Sequence, residues 1–216
     1  MMNVGILGGT FDPPHRGHLR MAAAVERACE LERIYFVPAP HPWHKTAPLA
    51  GFCDRYAMLA LTLMGHPRWQ PLALPESALA TYSVHQVSWL QNHFPRQKLH
   101  FIVGADSFAT LPTWKQPRRL LGLCDFIVLA REGAGWEQVL AALPRGWVHA
   151  VEAAGSGRVA HLRNGGKIHW LPRFSSRLSS TSVRQWLARA PRAPMPVTPA
   201  VNEFARRAGL YQRAHA

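Results

Sequence analysis

The sequence predicts an α/β fold: a doubly wound, mainly parallel sheet with helices on both faces, followed by a C-terminal helical segment. Three observations carry this expectation. Between residue 3 and about 130, short apolar runs of strand length alternate with longer stretches of helical periodicity, as in a parallel sheet whose crossovers are helices. The first run, Val4-Gly5-Ile6-Leu7, ends in Gly8-Gly9 and gives way to a helix, the strand, turn and helix that open such folds. The chain has 216 residues, 48% hydrophobic and 10% aromatic, which is enough for one domain to bury roughly 70% of its unfolded surface without disulfides or a structural metal.

Taken in order, the first helix is expected over 14–31, where Leu19, Ala22, Ala23, Glu26 and Cys29 recur at spacings of three and four,. Residues 34–37 form a second buried strand, stopped by Pro38. The stretch PAPHPWHKTAP (38–48) holds four prolines and reads as a shaped loop carrying His41, His44 and Lys45. Beyond it come a helix over 53–64, a strand near 70–74, a helix over 83–94, and a strand over 99–103 that ends in Gly104-Ala105-Asp106. A strand over 125–130 and a short helix over 136–143 follow. In 155–173, Asn164-Gly165-Gly166 separates two strand-like runs, so a hairpin is expected at about 158–172. Helices over 180–189 and 199–208 close the chain, separated by APRAPMP. Residues 1–216 thus read as one domain, an α/β core over 1–175 and a helical segment over 176–216.

Basic residues number 25 against 12 acidic, a formal charge of +13. Residues 143–216 hold 12 Lys/Arg against only Glu152 and Glu203, so +10 of that excess lies in the last third. Such a balance suits a polyanionic partner or a solvated basic face. Single-strand binders interleave exposed aromatics with their cations, and here only Trp170 and Phe174 are candidates, so no specific nucleic acid is expected. Cys29, Cys53 and Cys124 are scattered, without a CxxC pair, as in a cytoplasmic protein with reduced thiols. The N-terminus lacks the pattern of a signal peptide, and no apolar stretch approaches the ~18 residues of a membrane span.

Chemistry concentrates in GGTFDPPHRGH (8–18). Gly8 and Gly9 allow a polyphosphate close to the backbone, and the N–H groups and dipole of the following helix favour negative charge. His15 and His18, three apart, share one helical face from which both imidazoles can donate to phosphoryl oxygens, with Gly17 leaving room for the ligand. The pattern is neither GxGxxG nor GxxxxGK[ST]. Zinc sites on helices favour i, i+4 histidines and no HExxH occurs, so no protein-bound metal is expected. Near the other end, LSSTSVR (178–184) places hydroxyls at a helix start with Arg184 one turn in, a helix cap that can also clamp phosphate.

These segments together resemble the nucleotidyltransferases whose first loop reads GGTFDPxHxGH and whose late helix opens with SSTxxR, and among them the nicotinate-nucleotide adenylyltransferases. The likeness extends over nearly the whole chain: VPAPHPWHK (37–45) resembles that group's VPN…PPHK loop, ATYS (80–83) its SYT segment, VGADS (103–107) its IGxD turn and LPTW (111–114) its LPxW. The resemblance implies a Rossmann-like fold and adenylyl transfer from ATP, accompanied by Mg2+, to nicotinate mononucleotide. It assigns Gly8, Gly9, Thr10, Phe11, His15, His18, Gly104, Asp106, Ser180, Thr181 and Arg184 to ATP. It assigns Thr10, His44, Lys45, Tyr82, Ser83 and Trp114 to the mononucleotide, with His18, His15, Lys45 and Asp106 as the catalytic set. Asp106 is suited to ribose hydroxyls or to a magnesium-bound water. Sister enzymes acting on nicotinamide mononucleotide or phosphopantetheine are the alternatives, with a basic nucleic-acid-binding protein as a remote one. Ala39, Trp43 and Ala80-Thr81 depart from the group's pattern, all on the acceptor side.

Overall fold

The computed structural model describes residues 2–40, 50–75, 82–131, 135–174, 176, 178–189 and 195–212. Its centre is an eight-stranded sheet in the order β3-β2-β1-β4-β5-β8-β7-β6. These strands are β1 (Met2–Gly9), β2 (Arg33–Pro38), β3 (Trp69–Pro71), β4 (Gln97–Gly104), β5 (Asp125–Leu129), β6 (Val148–Ala154), β7 (Gly157–Leu162) and β8 (Lys167–Leu171). All pairings from β3 across to β8 are parallel, whereas β7 runs antiparallel to both β8 and β6.

The parallel strands read as continuous apolar runs because both faces are covered. Side chains alternate across the sheet: Val4, Ile6, Tyr35, Val37, Phe101 and Val103 enter one core cluster, while Leu7, Ile34, Phe36, Ile102 and Ile127 enter the other. Helices α3 (Ser83–His93) and α5 (Pro117–Leu123) cover the first face through Val84, Val87, Leu90, Leu120 and Leu121. The second is covered by α1 (Arg16–Ala28) and α2 (Phe52–Leu63), through Ala22, Val25, Leu59 and Leu63. Short α4 (Ala105–Phe108) and α6 (Trp136–Ala141) fill the connections beside β5. The closing helices α7 (Ser180–Arg189) and α8 (Pro199–Arg207) pack on α2 through a third cluster of Met58, Val183, Val197, Val201 and Ala205. Among the described residues no helix is long and apolar enough to cross a membrane.

Several boundaries move for local reasons. Helix α1 starts at Arg16 rather than 14, because His15, in extended backbone (φ −150°, ψ 170°), caps it. Strand β6 was not expected. Six of its seven residues are exposed, so its side chains show no one-sided pattern, and its place depends on the backbone ladder to β7.

The winding sets the location of the site. From β1 the chain steps outward through β2 and β3, then returns to β4 on the other side of β1 and continues through β5. Connections leaving β1 and β4 therefore diverge to opposite faces, opening a crevice at their carboxyl ends, as at the switch point of doubly wound sheets. Gly8-Gly9 and Gly104 are those carboxyl ends.

Candidate active site

A cleft of about 720 Å³ opens at this switch point. Of the residues singled out in the sequence, Gly8, Gly9, Thr10, His15, His18, Tyr82, Ser83, Gly104, Asp106 and Trp114 all line it. The contributors come from β1, α1, α3, β4 and the 105–114 connection, so distant segments converge on one space. His44 and Lys45 lie outside the described residues, as do 80–81 of the ATYS segment.

The two histidines hold each other. His15 Nδ1 accepts the Gly17 N–H at 3.1 Å, and His18 Nδ1 accepts the His15 N–H at 3.1 Å, a reciprocal capping box built from imidazoles,. Their rings stack with centroids 3.8 Å apart. With both Nδ1 atoms accepting, each ring carries its hydrogen on Nε2, leaving that edge as the donor. Burial, reinforced by the positive charge of Arg131, lowers His15 to about 4, so it is a neutral donor at physiological pH.

Two expectations are corrected by this arrangement. The first N–H groups of α1 are already engaged: Arg16 donates to Pro196 O at 2.8 Å, Gly17 to His15 Nδ1, and His18 N to His15 O at 2.9 Å. The imidazole edges, rather than those amides, are the donors this turn presents. Gly17 makes room for protein as well: a Cβ there would stand 2.8 Å from the His15 ring and 3.0 Å from Ser176 Oγ.

Phe11 also departs from expectation, since its side chain is buried and absent from the lining. At φ +51° the chain turns the ring inward, beneath His18 (centroids 4.9 Å, edge-on) and against Phe36. The ring supports the imidazole from below. Ser180, Thr181 and Arg184 likewise do not line the cleft; Ser180 and Arg184 hold the first loop. Ser180 Oγ donates to Pro13 O at 3.2 Å, while Arg184 donates to Asp12 O at 2.8 Å and to Thr181 Oγ1 at 3.2 Å.

The first loop has a deeper anchor that the sequence did not reveal. Arg55, fully buried on α2, donates to the carbonyls of Thr10, Ala39, Pro40 and Ala50 at 2.7 to 3.2 Å. Asp12 Oδ1 accepts from Ala50 N at 3.2 Å and from the Tyr211 hydroxyl at 2.6 Å. Burial, and the hydrogen bond to Asp12, carry that hydroxyl well above the ordinary tyrosine range.

Across the cleft, Asp106 in the first turn of α4 pairs with Arg131 at 3.0 Å, both partly exposed. Gly104 leaves room for this pair: a Cβ would stand 2.6 Å from Asp106 Oδ1 and 3.2 Å from Arg131 Cδ, so the side chains would have to shift. Arg131 was missed, although its position just after β5 at the carboxyl edge of a parallel sheet is where ligands are met. Trp114 is half-buried, fixed by a 3.0 Å hydrogen bond from Nε1 to Thr110 Oγ1 and by an edge-on contact with Phe101. Tyr82 caps α3, so the positive end of that helix, at Tyr82, Ser83 and Gln86, faces the same space,. Ala39 is on the wall as well.

Comparison with known proteins agrees with this architecture. Residues 6–186 match the cytidylyltransferase-like family. The chain is 36% identical to a protein of Syntrophotalea carbinolica named "probable nicotinate-nucleotide adenylyltransferase", over 98% of each chain. It is 34% identical to one of the same name from Geotalea uraniireducens, over 99% and 100% of the two chains. Among solved structures it resembles the nicotinic acid mononucleotide adenylyltransferase of Plasmodium falciparum complexed with NaAD, with a TM-score of 0.71 over 98% of each chain at 16% identity.

Proposed function

This chain belongs to the cytidylyltransferase-like family, and from that premise we propose that it transfers the adenylyl group of ATP to nicotinate mononucleotide, forming nicotinate adenine dinucleotide and pyrophosphate. A phosphate oxygen of the mononucleotide attacks the α-phosphorus of ATP; the new P–O bond forms as the bond to the bridging β-phosphate oxygen breaks. The attacking oxygen is ionised at neutral pH, so no general base is needed. Catalysis then consists of in-line positioning and stabilisation of charge on the departing pyrophosphate.

The observation that carries this reading is the stacked pair His15 and His18 at the carboxyl end of β1, in the same cleft as Trp114. Two Nε2–H donors on rings locked by backbone hydrogen bonds and by Phe11 need no reorganisation as charge develops. Gly8, Gly9 and Thr10 admit the phosphates. Gly104 and Asp106 receive the adenosine side, Asp106 through ribose hydroxyls or a metal-bound water. The 180–184 turn, held against the carbonyls of Asp12 and Pro13, takes the outer phosphates through Ser180, Thr181 and Arg184. Trp114 stacks on the pyridine ring, while the amino end of α3 at Tyr82 and Ser83 takes its carboxylate. A carboxylate strengthens such bonds relative to an amide, which favours the nicotinate acceptor. His44 and Lys45 serve the mononucleotide phosphate, and Lys45 counters charge in the reaction.

Magnesium fits as a companion of ATP. Among the described residues, Asp106 is the one carboxylate in the lining, already paired with Arg131, and Mg2+ is commonly held by phosphates with one or two carboxylates and waters. When bound, it neutralises phosphate charge. The deciding experiment offers purified protein ATP, magnesium and each acceptor in turn, with pyrophosphate release as readout. Nicotinate mononucleotide should give the highest kcat/KM; a higher value with nicotinamide mononucleotide or phosphopantetheine would overturn the acceptor assignment.

A further inference from the structure

Away from the cleft, on one face of β4, β5 and β8, lies a second cluster of chemistry-bearing side chains. His100 on β4, Asp125 at the start of β5 and His169 on β8 each offer a ligand atom, and the three atoms lie within 4.8 Å of one another. Among the described residues no other group of three His, Cys, Asp or Glu side chains converges in this way. We propose that His100, Asp125 and His169 form a binding site for a divalent transition-metal cation, zinc in the first instance, that clasps the hairpin strand β8 to β4 and β5.

Strand register makes the cluster. His100 pairs with Asp125 across β4 and β5, and His169 pairs with Ile127, two residues beyond Asp125. Residues two apart share a face of the sheet, so all three side chains project on one side. From His100 to Gly104 is four residues of extended chain, about 13 Å, which separates this cluster from the cleft. It therefore stands independently of the adenylyl-transfer reading.

Three polar atoms of the cluster lack a hydrogen bond, although Lys98 pairs ionically with one of them, Asp125 Oδ2, at 2.8 Å. His100 and Asp125 are only 4% and 5% exposed, and His100 Nδ1, Asp125 Oδ2 and His169 Nε2 are buried without a hydrogen bond. Their other polar atoms are oriented elsewhere: Asp125 Oδ1 accepts the Lys167 N–H at 2.9 Å, and His100 Nε2 faces Asn3 Oδ1 at 3.4 Å. Buried polar atoms are ordinarily satisfied; here two imidazole nitrogens have no hydrogen-bond partner and the carboxylate oxygen beside them is held only by an exposed lysine. Asp125 Oδ2 and His169 Nε2 are already 3.8 Å apart, close to the roughly 3.4 Å between ligand atoms around a tetrahedral zinc with bonds near 2.0–2.1 Å.

Ligand chemistry agrees. Two imidazoles and one carboxylate suit zinc and its neighbours rather than magnesium or calcium, and leave a fourth position for water. Neutral imidazole and ionised carboxylate are the forms that bind metal. Lys98 is the competitor: its Nζ forms an ion pair with Asp125 Oδ2 at 2.8 Å. Its side chain is 44% exposed, so it can swing into solvent and yield its place to a cation.

The test uses the full chain, stripped with a chelator and titrated with Co2+ as the spectroscopic probe, followed by competition with Zn2+. One equivalent should produce the visible d–d absorption of four- or five-coordinate cobalt, which zinc then removes. Zinc should also raise the melting temperature where equal Mg2+ does not, because a ligand that binds only the native state stabilises it. His169→Gln should weaken cobalt by more than the roughly 100-fold that loss of an outer-shell partner can cost. Lys98→Ala, a change at an exposed side chain, should tighten it about tenfold by removing a competing charge. His18→Ala should keep the spectrum. Absence of the absorption, its persistence in His169→Gln, its loss in His18→Ala, or unchanged affinity in Lys98→Ala would each overturn the proposal.

Discussion

Replacing His18 separates its two tasks. In His18→Ala the His15 N–H loses its acceptor at 3.1 Å, and the stack with His15 and the edge contact with Phe11 disappear. A lost cap costs about 1 kcal/mol and the ring contacts about another 1. At 2–4 °C per kcal/mol for a chain of this size, the melting temperature should fall by roughly 4–8 °C. The rate should fall much further, because one donor to the developing charge is worth about 10²- to 10³-fold in kcat. His18→Asn distinguishes the effects. Its side-chain oxygen reaches about where Nδ1 accepted, but its amide stops short of the position of Nε2. Stability should therefore return towards the parent value while turnover stays low. Pyrophosphate release at saturating ATP and nicotinate mononucleotide, beside thermal melts, measures both. Turnover within tenfold of the parent in His18→Ala, or recovery of rate together with stability in His18→Asn, would show that His18 acts through capping alone.

Trp114→Ala should raise KM for the mononucleotide roughly 10- to 100-fold, the range of one base–aromatic stack, with KM for ATP nearly unchanged; equal damage to both substrates would indicate a packing role. Arg55→Ala strips four carbonyls of the first and second loops of their donor and should cost more than about 3 kcal/mol, visible as a loss of melting temperature exceeding 6 °C. Acidification should destabilise the protein before its carboxylates titrate. His15 and His100 have native values near 4 against 6.5 unfolded, so between these limits the unfolded state binds more protons and stability rises with pH. Each contribution is intact above about pH 6.5 and reduced by about 2 kcal/mol at pH 5; a melting temperature that stays flat from pH 7 to 5 would contradict the burial of these neutral rings.

Much of the site was legible because its residues are contiguous or lie at strand ends. Gly8, Gly9, Thr10, His15 and His18 fall within eleven residues, and Gly104, Asp106 and Trp114 follow a strand whose apolar run is unmistakable. Where the sequence was silent, partners come from far along the chain. Arg55 ties together loops up to 45 residues away, Tyr211 meets Asp12 across 199, and Arg184 reaches Asp12 across 172. No local pattern encodes such pairings. Phe11 shows the converse: its position within the motif suggested a lining role, and a left-handed turn sent its ring into the core instead.

By itself, then, the amino-acid sequence determined the parallel α/β class, the strand ends that border the cleft, and the chemical kind of side chain placed there, since each follows from local periodicity and short spacing. Only the tertiary structure decided which atoms are left to face the cleft. Residues Pro196 and His15 occupy the amides of α1, so the imidazole edges become the donors; Arg131 faces Asp106 because β4 and β5 lie side by side; and three neighbouring strands gather His100, Asp125 and His169. Hydrogen bonding is settled by whichever partner arrives in space, and in a sheet ordered 3-2-1-4-5-8-7-6 those partners are seldom neighbours in sequence.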